Sequence, residues 1–209
     1  LYHRIRAYNE TRLAILRRFQ MQGQVLDVGV GQGLFLDVAR EAGYEAAGCD
    51  VSPYVARFHR ARGLDVRAGT VEEAFVRPES FDAVTLWQTL EHTLDPVRTL
   101  MHVRSLLRPD GVAVVSVPNM AGLVARVKLL VGKPFLGPES SELHFFHFRP
   151  RAFDLVLRAC GFQILGRDAV TYPPQENVSY IIPLSNDGSQ LLNINPDLSW
   201  AGQKSDVIA

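Results

Sequence analysis

The sequence predicts an α/β fold with a parallel sheet covered by helices on both faces. Short apolar runs typical of strands alternate with stretches whose apolar residues recur at helical spacing, as far as residue 119. The run "VAVVSVPN", residues 112–119, is nearly all apolar, as expected for a strand buried on both faces. Right-handed crossovers would bring the carboxyl ends of these strands to one edge, where open α/β sheets bind ligands.

Capping residues mark where several elements begin and end. Ser52 and Pro53 are typical of the first positions of a helix, and Asp95 and Pro96 repeat the pattern. Gly43 and Gly161 are typical of helix ends. We therefore predict helices over 3–19, 34–43, 52–63, 95–111, 121–131 and 150–161, and strands over 24–29, 44–52, 64–70, 80–90, 112–119, 162–170 and 178–184.

The composition indicates a globular protein of one good-sized domain. The chain has 209 residues, of which 47% are hydrophobic, and its 22 basic residues balance its 22 acidic residues. This charge balance gives no reason to expect nucleic-acid binding. The two cysteines, Cys49 and Cys160, form no metal-binding or disulfide pattern, so we expect a reducing, cytoplasmic location.

The chain divides into three parts by pattern. We expect a partly basic helical segment over 1–19, a main domain over 20–184 with an insertion at 120–148, and an irregular tail over 185–209. The first residues lack the apolar core and cleavage site of a signal peptide, and no apolar run is long enough to span a membrane. The chain has no initiator Met, which is compatible with a start inside a longer protein.

The stretch "VLDVGVGQGLF", residues 25–35, carries the most informative motif. A glycine-rich turn between a strand and a helix lets a ligand touch the backbone and the unpaired N–H groups of the helix. Gly29, Gly31 and Gly33 alternate, and Leu34 stands where a dinucleotide fingerprint needs its last glycine. No phosphate-binding G-x-x-x-x-G-K-[ST] motif is present either. The spacing argues against a pyrophosphate ligand.

Asp27, the alternating glycines and Asp50 together resemble the first motif of the class I S-adenosylmethionine (SAM) methyltransferases. "LEHTLDP", "LLRPDG" and "HFFHFRPRAF" extend the resemblance over roughly residues 20–170, toward the group that includes the ubiquinone-biosynthesis O-methyltransferases. The resemblance implies a Rossmann-like sheet of seven strands, mostly parallel, with the last strand antiparallel. It also implies SAM as cofactor and S-adenosylhomocysteine as product.

The resemblance assigns roles to residues at the predicted edge. Gly29, Gly31 and Gly33 would lie against the methionine and ribose portions, and Asp27 would help to fix the ammonium group. Asp50 would accept hydrogen bonds from the ribose hydroxyls, which suits a carboxylate, although an acid here could instead cap the following helix. The remaining cofactor contacts would be Val51 and Thr70 at the adenine, the backbone N–H of Val71, and Trp87 and Gln88 around the methionine end. Thr70 departs from the acid that is usual at its position.

Histidines are the candidates for catalysis. Methyl transfer to a hydroxyl needs a base to remove the proton, and histidine suits that role near neutral pH. His144, ahead of "FRPRAF", is the first candidate, His92 in "LEH" the second, and His147 a third. His92 could equally anchor the loop that follows it. The neighbouring phenylalanines are more typical of core than of a substrate pocket, and we expect no metal ligands.

We therefore expect a SAM-dependent methyltransferase acting on a small-molecule acceptor, on oxygen rather than nitrogen or carbon. A catalytically silent SAM-binding scaffold and a nucleotide-cofactor (NAD-type) oxidoreductase remain as alternatives. The helix predicted over 121–131 has three interpretations: a surface helix, a lid, or a weak membrane-surface contact for a lipophilic acceptor. The sequence does not identify the acceptor or the oligomeric state.

Overall fold

A computed structural model describes residues 2–118, 130–131, 144–172 and 177–185. Its helices are α1 (Tyr2–Arg17), α2 (Leu34–Glu41), α3 (Pro53–Ala61), α4 (Val71–Ala74), α5 (Pro96–Leu106) and α6 (Pro150–Ala159), with a 3-10 turn at Leu90–His92. Its strands are β1 (Gln24–Val28), β2 (Glu45–Asp50), β3 (Asp65–Ala68), β4 (Phe81–Trp87), β5 (Leu107–Pro118), β6 (Gln163–Ile164), β7 (Asp168–Tyr172) and β8 (Asn177–Ser185).

The strands form one sheet in the order β3-β2-β1-β4-β5-β8-β6, and β7 also pairs with β8. Strands β1 to β5 are parallel, whereas β8 runs antiparallel to β5 and to both β6 and β7. Since β5 occupies one side of β8, β6 and β7 lie end to end along its other side. The sheet thus has seven positions with one antiparallel strand, which confirms the predicted fold class.

Two packed layers cover the sheet because successive strand residues point to opposite faces. On one face, Leu26 and Val84 pack in a cluster with residues of α5 and α6 such as Leu100 and Phe153. On the other face, Val25 packs in a cluster with residues of α1 and α2. A third cluster joins α2 to α3. Helix α1 is therefore part of the packed layers and brings its side chains close to the sheet.

Capping follows the sequence pattern. The Ser52 side chain accepts a hydrogen bond from the Val55 N–H at 3.4 Å, and the Asp95 side chain accepts one from Arg98 N–H at 2.9 Å. Both predicted N-caps are confirmed. Each satisfies an N–H group that the first turn of its helix leaves unpaired.

Three boundaries differ from the predicted ones. The strand expected over 162–170 is two strands separated at residues 165–167, a break that contains Gly166. The strand expected over 80–90 ends at Trp87, because Gln88 has a φ of 55° that leaves the extended conformation. The helix expected to continue to Gly111 ends at Leu106, and β5 begins at once with an irregular register before Val112.

Several predictions fall outside the described residues. They are the helix over 121–131 except its last two positions, most of the insertion at 120–148, and the tail after Ser185. Among the helices that the structure does describe, none is long and apolar enough to cross a membrane.

Candidate functional site: a cofactor edge and a histidine–glutamate cluster

The glycine turn connects β1 to α2, and all three of its glycines have positive φ. A Cβ on Gly29 would lie 2.5 Å from Thr89 Oγ1, and one on Gly33 would lie 2.3 Å from a His59 ring carbon. Gly31, with a φ of 51°, has no atom within 4 Å of that position. The protein's own packing therefore requires two of the glycines, and Gly31 is the position where a ligand can approach the backbone.

Asp50 ends β2 beside this turn. Its Oδ2 accepts a hydrogen bond from Gly31 N–H at 3.0 Å, and its Oδ1 accepts one from Ser52 N–H at 2.9 Å. The carboxylate thus supports the start of α3, as one of the two interpretations expected, and it also faces the turn; its role at the ribose stays a prediction. Each oxygen keeps a second lone pair for a further donor.

Asp27 is buried at the centre of this edge. It lies in register with Gly48 of β2 and Thr85 of β4, and Thr85 Oγ1 donates a 2.7 Å hydrogen bond to its Oδ1. Burial raises the pKa of Asp27 to about 7, the Thr85 hydrogen bond and the positive charge of Arg12 oppose that rise, and Asp50 adds to it. A cation arriving beside Asp27 would favour the ionised carboxylate.

Arg12, on α1, is a residue of this edge that the sequence analysis missed. Its guanidinium carbon lies 4.2 Å from the Tyr8 ring centre and 4.9 Å from the Trp87 ring centre. It also donates 3.2 Å hydrogen bonds to the Tyr8 hydroxyl and to Asn9 Oδ1. Tyr8 and Arg12 are four residues apart and share a helix face, and this face is buried. The sequence signal for this site residue was the position of Arg12, on the same helix face as the buried Tyr8.

The residues predicted to contact the adenine lie at the carboxyl ends of β2 and β3. Val51 is 72% exposed, which leaves an apolar surface available beside Asp50. Thr70 is the N-cap of α4, in a capping box with Glu73, and its N–H donates to Glu73 Oε2 at 2.9 Å. The Val71 side chain is buried, whereas its N–H is the first of α4 and has no acceptor within the helix.

Trp87, the last residue of β4, and Gln88 after it lie on the other side of this edge and form the Trp87–Gln88 wall. Trp87 is buried against the Phe35 ring at 5.2 Å, and its indole N–H has no hydrogen-bond partner among the described residues. Gln88 is held through Ser116: its backbone N–H donates to the Ser116 carbonyl at 3.0 Å, and its Nε2 donates to the Ser116 hydroxyl at 3.1 Å. Both residues therefore have fixed positions at the end of β4.

Just beyond the end of β4, the carboxyl group of Glu91 and the histidines His92, His144 and His147 form a cluster. The His92 and His144 ring centres are 4.5 Å apart, and those of His144 and His147 are 6.1 Å apart. Glu91 has no exposed surface, and neither of its carboxylate oxygens has a hydrogen-bond partner among the described residues. Its carbonyl accepts a hydrogen bond from Phe145 N–H at 2.9 Å, which ties the loop carrying His144 to the end of β4. The structure thus brings both predicted histidines together, and adds Glu91.

Burial shifts the protonation equilibria of this cluster in opposite directions. It raises the pKa of Glu91 to about 8. It also lowers the pKa of His144 to about 4, with His92 and His147 contributing. The carboxyl group therefore holds a proton near neutral pH while the His144 ring is uncharged.

The same three residues could hold a metal ion. One ligand atom each from Glu91, His92 and His144 lies within 4.8 Å of the others. Two imidazoles and a carboxylate are a ligand set that zinc and other transition metals accept. Glu91 precedes His92 in the "LEH" stretch, where only the histidine was a predicted site residue.

The aromatic residues of this loop divide into two groups. Phe148 is buried and packs against Phe153 with ring centres 4.7 Å apart, as expected for core. Phe145 is 56% exposed beside His144. Phe145 therefore offers apolar surface on the side of the cluster that faces solvent.

The fold defines a class of protein, the open α/β proteins, which bind ligands at the carboxyl ends of their parallel strands. Known proteins of this architecture resemble this chain over most of its length. A family model described as "Methyltransferase domain" matches residues 1–166. The ubiquinone biosynthesis O-methyltransferase of Xanthomonas campestris pv. campestris (strain B100) is 30% identical over 185 residues, covering 83% of this chain and 77% of the relative. A protein of the same name from Xylella fastidiosa (strain M23) is 28% identical, covering 94% and 85%.

Solved structures share the fold at lower identity. The 1,6-didemethyltoxoflavin-N1-methyltransferase of Burkholderia thailandensis, solved with that acceptor and S-adenosylhomocysteine, has a TM-score of 0.68 at 20% identity, covering 86% of this chain and 78% of that one. A SAM-dependent methyltransferase of Methanosarcina mazei has a TM-score of 0.67 at 18% identity, covering 82% and 96%. The chain belongs to the methyltransferase-domain family, and it is a SAM-dependent methyltransferase.

The buried Glu91 makes stability depend on pH. Because folding raises its pKa from 4.5 to about 8, the folded state holds this proton more tightly than the unfolded state. The resulting stability is present at low pH and is lost as the pH rises toward 8. Between pH 5 and pH 8, the wild type should lose roughly 2–4 kcal/mol relative to Glu91→Gln.

Urea unfolding at both pH values measures this difference, with the exposed Glu79→Gln as the control. A free-energy difference between Glu91→Gln and wild type that stays constant with pH would contradict an unpaired, buried carboxyl group.

Proposed function

We propose that the protein transfers a methyl group from SAM to a hydroxyl group of a small organic acceptor. The single observation that carries the oxygen assignment is the cluster of Glu91, His92 and His144 at the end of β4, next to the Trp87–Gln88 wall. Hydroxyl groups need a proton acceptor for methylation at neutral pH, whereas a neutral amine can react through its own lone pair. The relatives named O-methyltransferases support the same assignment.

The cofactor assignment follows the edge from β3 to β4. The two available lone pairs of Asp50 suit the ribose hydroxyls, and the open face of Gly31 suits their close approach. Exposed Val51 supplies apolar surface for the adenine, with Thr70 and the Val71 N–H at its edge. Asp27 would face the ammonium group and Arg12 the carboxylate, so that each charge of the methionine end meets its opposite.

The protein's contribution to the reaction is alignment and proton removal. Bound SAM supplies a methyl group already activated by its positive sulfur. The buried walls at Trp87 and Gln88 would hold the methionine end so that the acceptor oxygen approaches in line with the carbon–sulfur bond. An imidazole of His144 or His92 would take the proton of the acceptor hydroxyl, so that methyl transfer would yield S-adenosylhomocysteine and the methylated acceptor.

Once ionised, above its pKa of about 8, Glu91 would compensate for the low basicity of His144. A pKa of about 4 describes a ring that is hard to protonate next to two other histidines. When Glu91 is ionised, its negative charge would stabilise the imidazolium that forms on proton transfer. The pair would therefore work as a unit in which the carboxylate supports the histidine.

A metal ion bound by Glu91, His92 and His144 is a second way to activate the hydroxyl. The unpartnered oxygens of Glu91 and the 4.8 Å clustering of the ligand atoms favour it. A bound cation would lower the pKa of a coordinated hydroxyl and would leave the histidines as ligands rather than bases.

The ribose role of Asp50 is tested by cofactor affinity. Asp50→Ala should weaken S-adenosylhomocysteine binding by roughly 1.5–3 kcal/mol, the scale of hydrogen bonds to a charged group. Isothermal calorimetry measures this, with Asp65→Ala at the opposite end of the sheet as the control and thermal melting to confirm folding. Unchanged affinity in folded Asp50→Ala would remove the ribose assignment.

The base is tested by the rate of S-adenosylhomocysteine formation with a panel of phenols and catechols. His144→Gln should lower kcat by about 10²-fold or more and leave cofactor affinity within about twofold, because the base acts only on the acceptor. His102→Gln, far from the cluster, is the control. If His144→Gln and His92→Gln both keep full activity, proton removal by these histidines is wrong. Loss of wild-type activity with EDTA, and its return with added zinc or manganese, would favour the metal alternative.

A further inference from the structure

His59 lies behind the glycine turn and has no role in the chemistry described so far. It occupies the last turn of α3 and is 1% exposed. Its ring fills the space where a Cβ of Gly33 would lie, with a ring carbon 2.3 Å from that position. The side chain thus packs directly against the turn, on the side away from the open face of Gly31.

Both ring nitrogens of His59 have defined partners. Nε2 lies 2.9 Å from the Gly31 carbonyl oxygen, and Nδ1 lies 3.2 Å from Nη1 of Arg62. A carbonyl can only accept and a guanidinium can only donate, so the hydrogen is on Nε2 and Nδ1 accepts. Arg62 in turn donates to Asp37 Oδ2 of α2 at 2.8 Å.

These contacts form one chain from an ion pair to the cofactor edge. It runs from Asp37 through Arg62 and His59 to the Gly31 carbonyl, and from the Gly31 N–H to Asp50 Oδ2 at 3.0 Å. Gly31 is held on its N–H side by Asp50 and on its carbonyl side by His59. Since glycine has no side chain to restrict it, these two hydrogen bonds help to restrict its φ and ψ, together with the backbone hydrogen bonds of the turn.

We propose that His59 is a positioning residue for the cofactor: through the Gly31 carbonyl, it fixes the backbone against which SAM lies. This inference rests on the proposed position of SAM at the β1–β2 edge. His59 touches neither cofactor nor acceptor, so it sets affinity for the cofactor and leaves the methyl-transfer step alone. Its hydrogen bond, and not only its volume, is the working feature.

Two substitutions separate the hydrogen bond from packing. His59→Leu keeps a buried side chain and removes both hydrogen bonds. His59→Gln places an amide N–H near the position of Nε2 and keeps an acceptor for Arg62. His102→Leu is the matched control, because His102 Nε2 also lies 2.7 Å from a backbone carbonyl, that of Phe75, which borders the opposite edge of the sheet.

Calorimetry with S-adenosylhomocysteine is the measurement, on variants shown by thermal melting to be folded. His59→Leu should raise Kd about fivefold or more, while His59→Gln and His102→Leu stay within about twofold of wild type. With any acceptor that turns over, His59→Leu should raise KM for SAM and leave kcat at saturating SAM within about twofold.

Wild-type affinity in His59→Leu would overturn the proposal, and so would an equal loss in His59→Leu and His59→Gln, which would leave packing as the cause. This binding test needs no acceptor, so failure of the hydroxyl assignment does not affect it. Failure of the ribose assignment is also distinguishable, because it requires unchanged binding in Asp50→Ala.

Discussion

The buried carboxylate of Asp27 is the constraint around which the cofactor edge is organised. In the folded protein its pKa is raised to about 7, because burial disfavours the charged form and Asp50 adds a second negative charge nearby. One hydrogen bond from Thr85 and the guanidinium of Arg12 offset only part of that cost. Such a site is poorly satisfied until a cation arrives. In the proposed function the ammonium group of SAM meets that need, so cofactor binding would stabilise this edge.

Glu91 is a second buried acid with a raised pKa, and it lies just beyond the end of β4, where the acceptor is proposed to bind. It is fully buried without a hydrogen-bond partner among the described residues, and its pKa is raised to about 8. In the proposed arrangement, Asp27 lies on the cofactor side of the Trp87–Gln88 wall and Glu91 lies on the acceptor side. Buried acids with raised pKa values are typical of catalytic sites, where stability is given up for function.

Local sequence patterns predicted strands β1 to β5 and the helices α2, α3 and α5 between them, because these elements have their own periodicity or their own turn and capping residues, whereas the four-residue α4 was not predicted. The single antiparallel position depended on resemblance to a known family, and only Gly166 marked the break at residues 165–167. On the site, Asp27, Gly31 and Asp50 were singled out because they follow two successive strands at a recognisable spacing, and their contacts with the cofactor stay predictions. Arg12, His59 and Glu91 were missed because their importance depends on contacts between segments distant in sequence: Arg12 reaches Trp87, and His59 reaches Gly31.

The central claim is that ionised Asp27 receives the cofactor's ammonium group, and the pH dependence of binding tests it most directly. Protonation of Asp27 competes with binding, so affinity for S-adenosylhomocysteine should fall about tenfold as pH is lowered from 8 to 6 across a pKa of about 7. Calorimetry on wild type and Asp27→Asn at both values measures this. Affinity is expected to fall in wild type and to be weak and independent of pH in Asp27→Asn. Equal slopes in the two proteins would contradict the central claim.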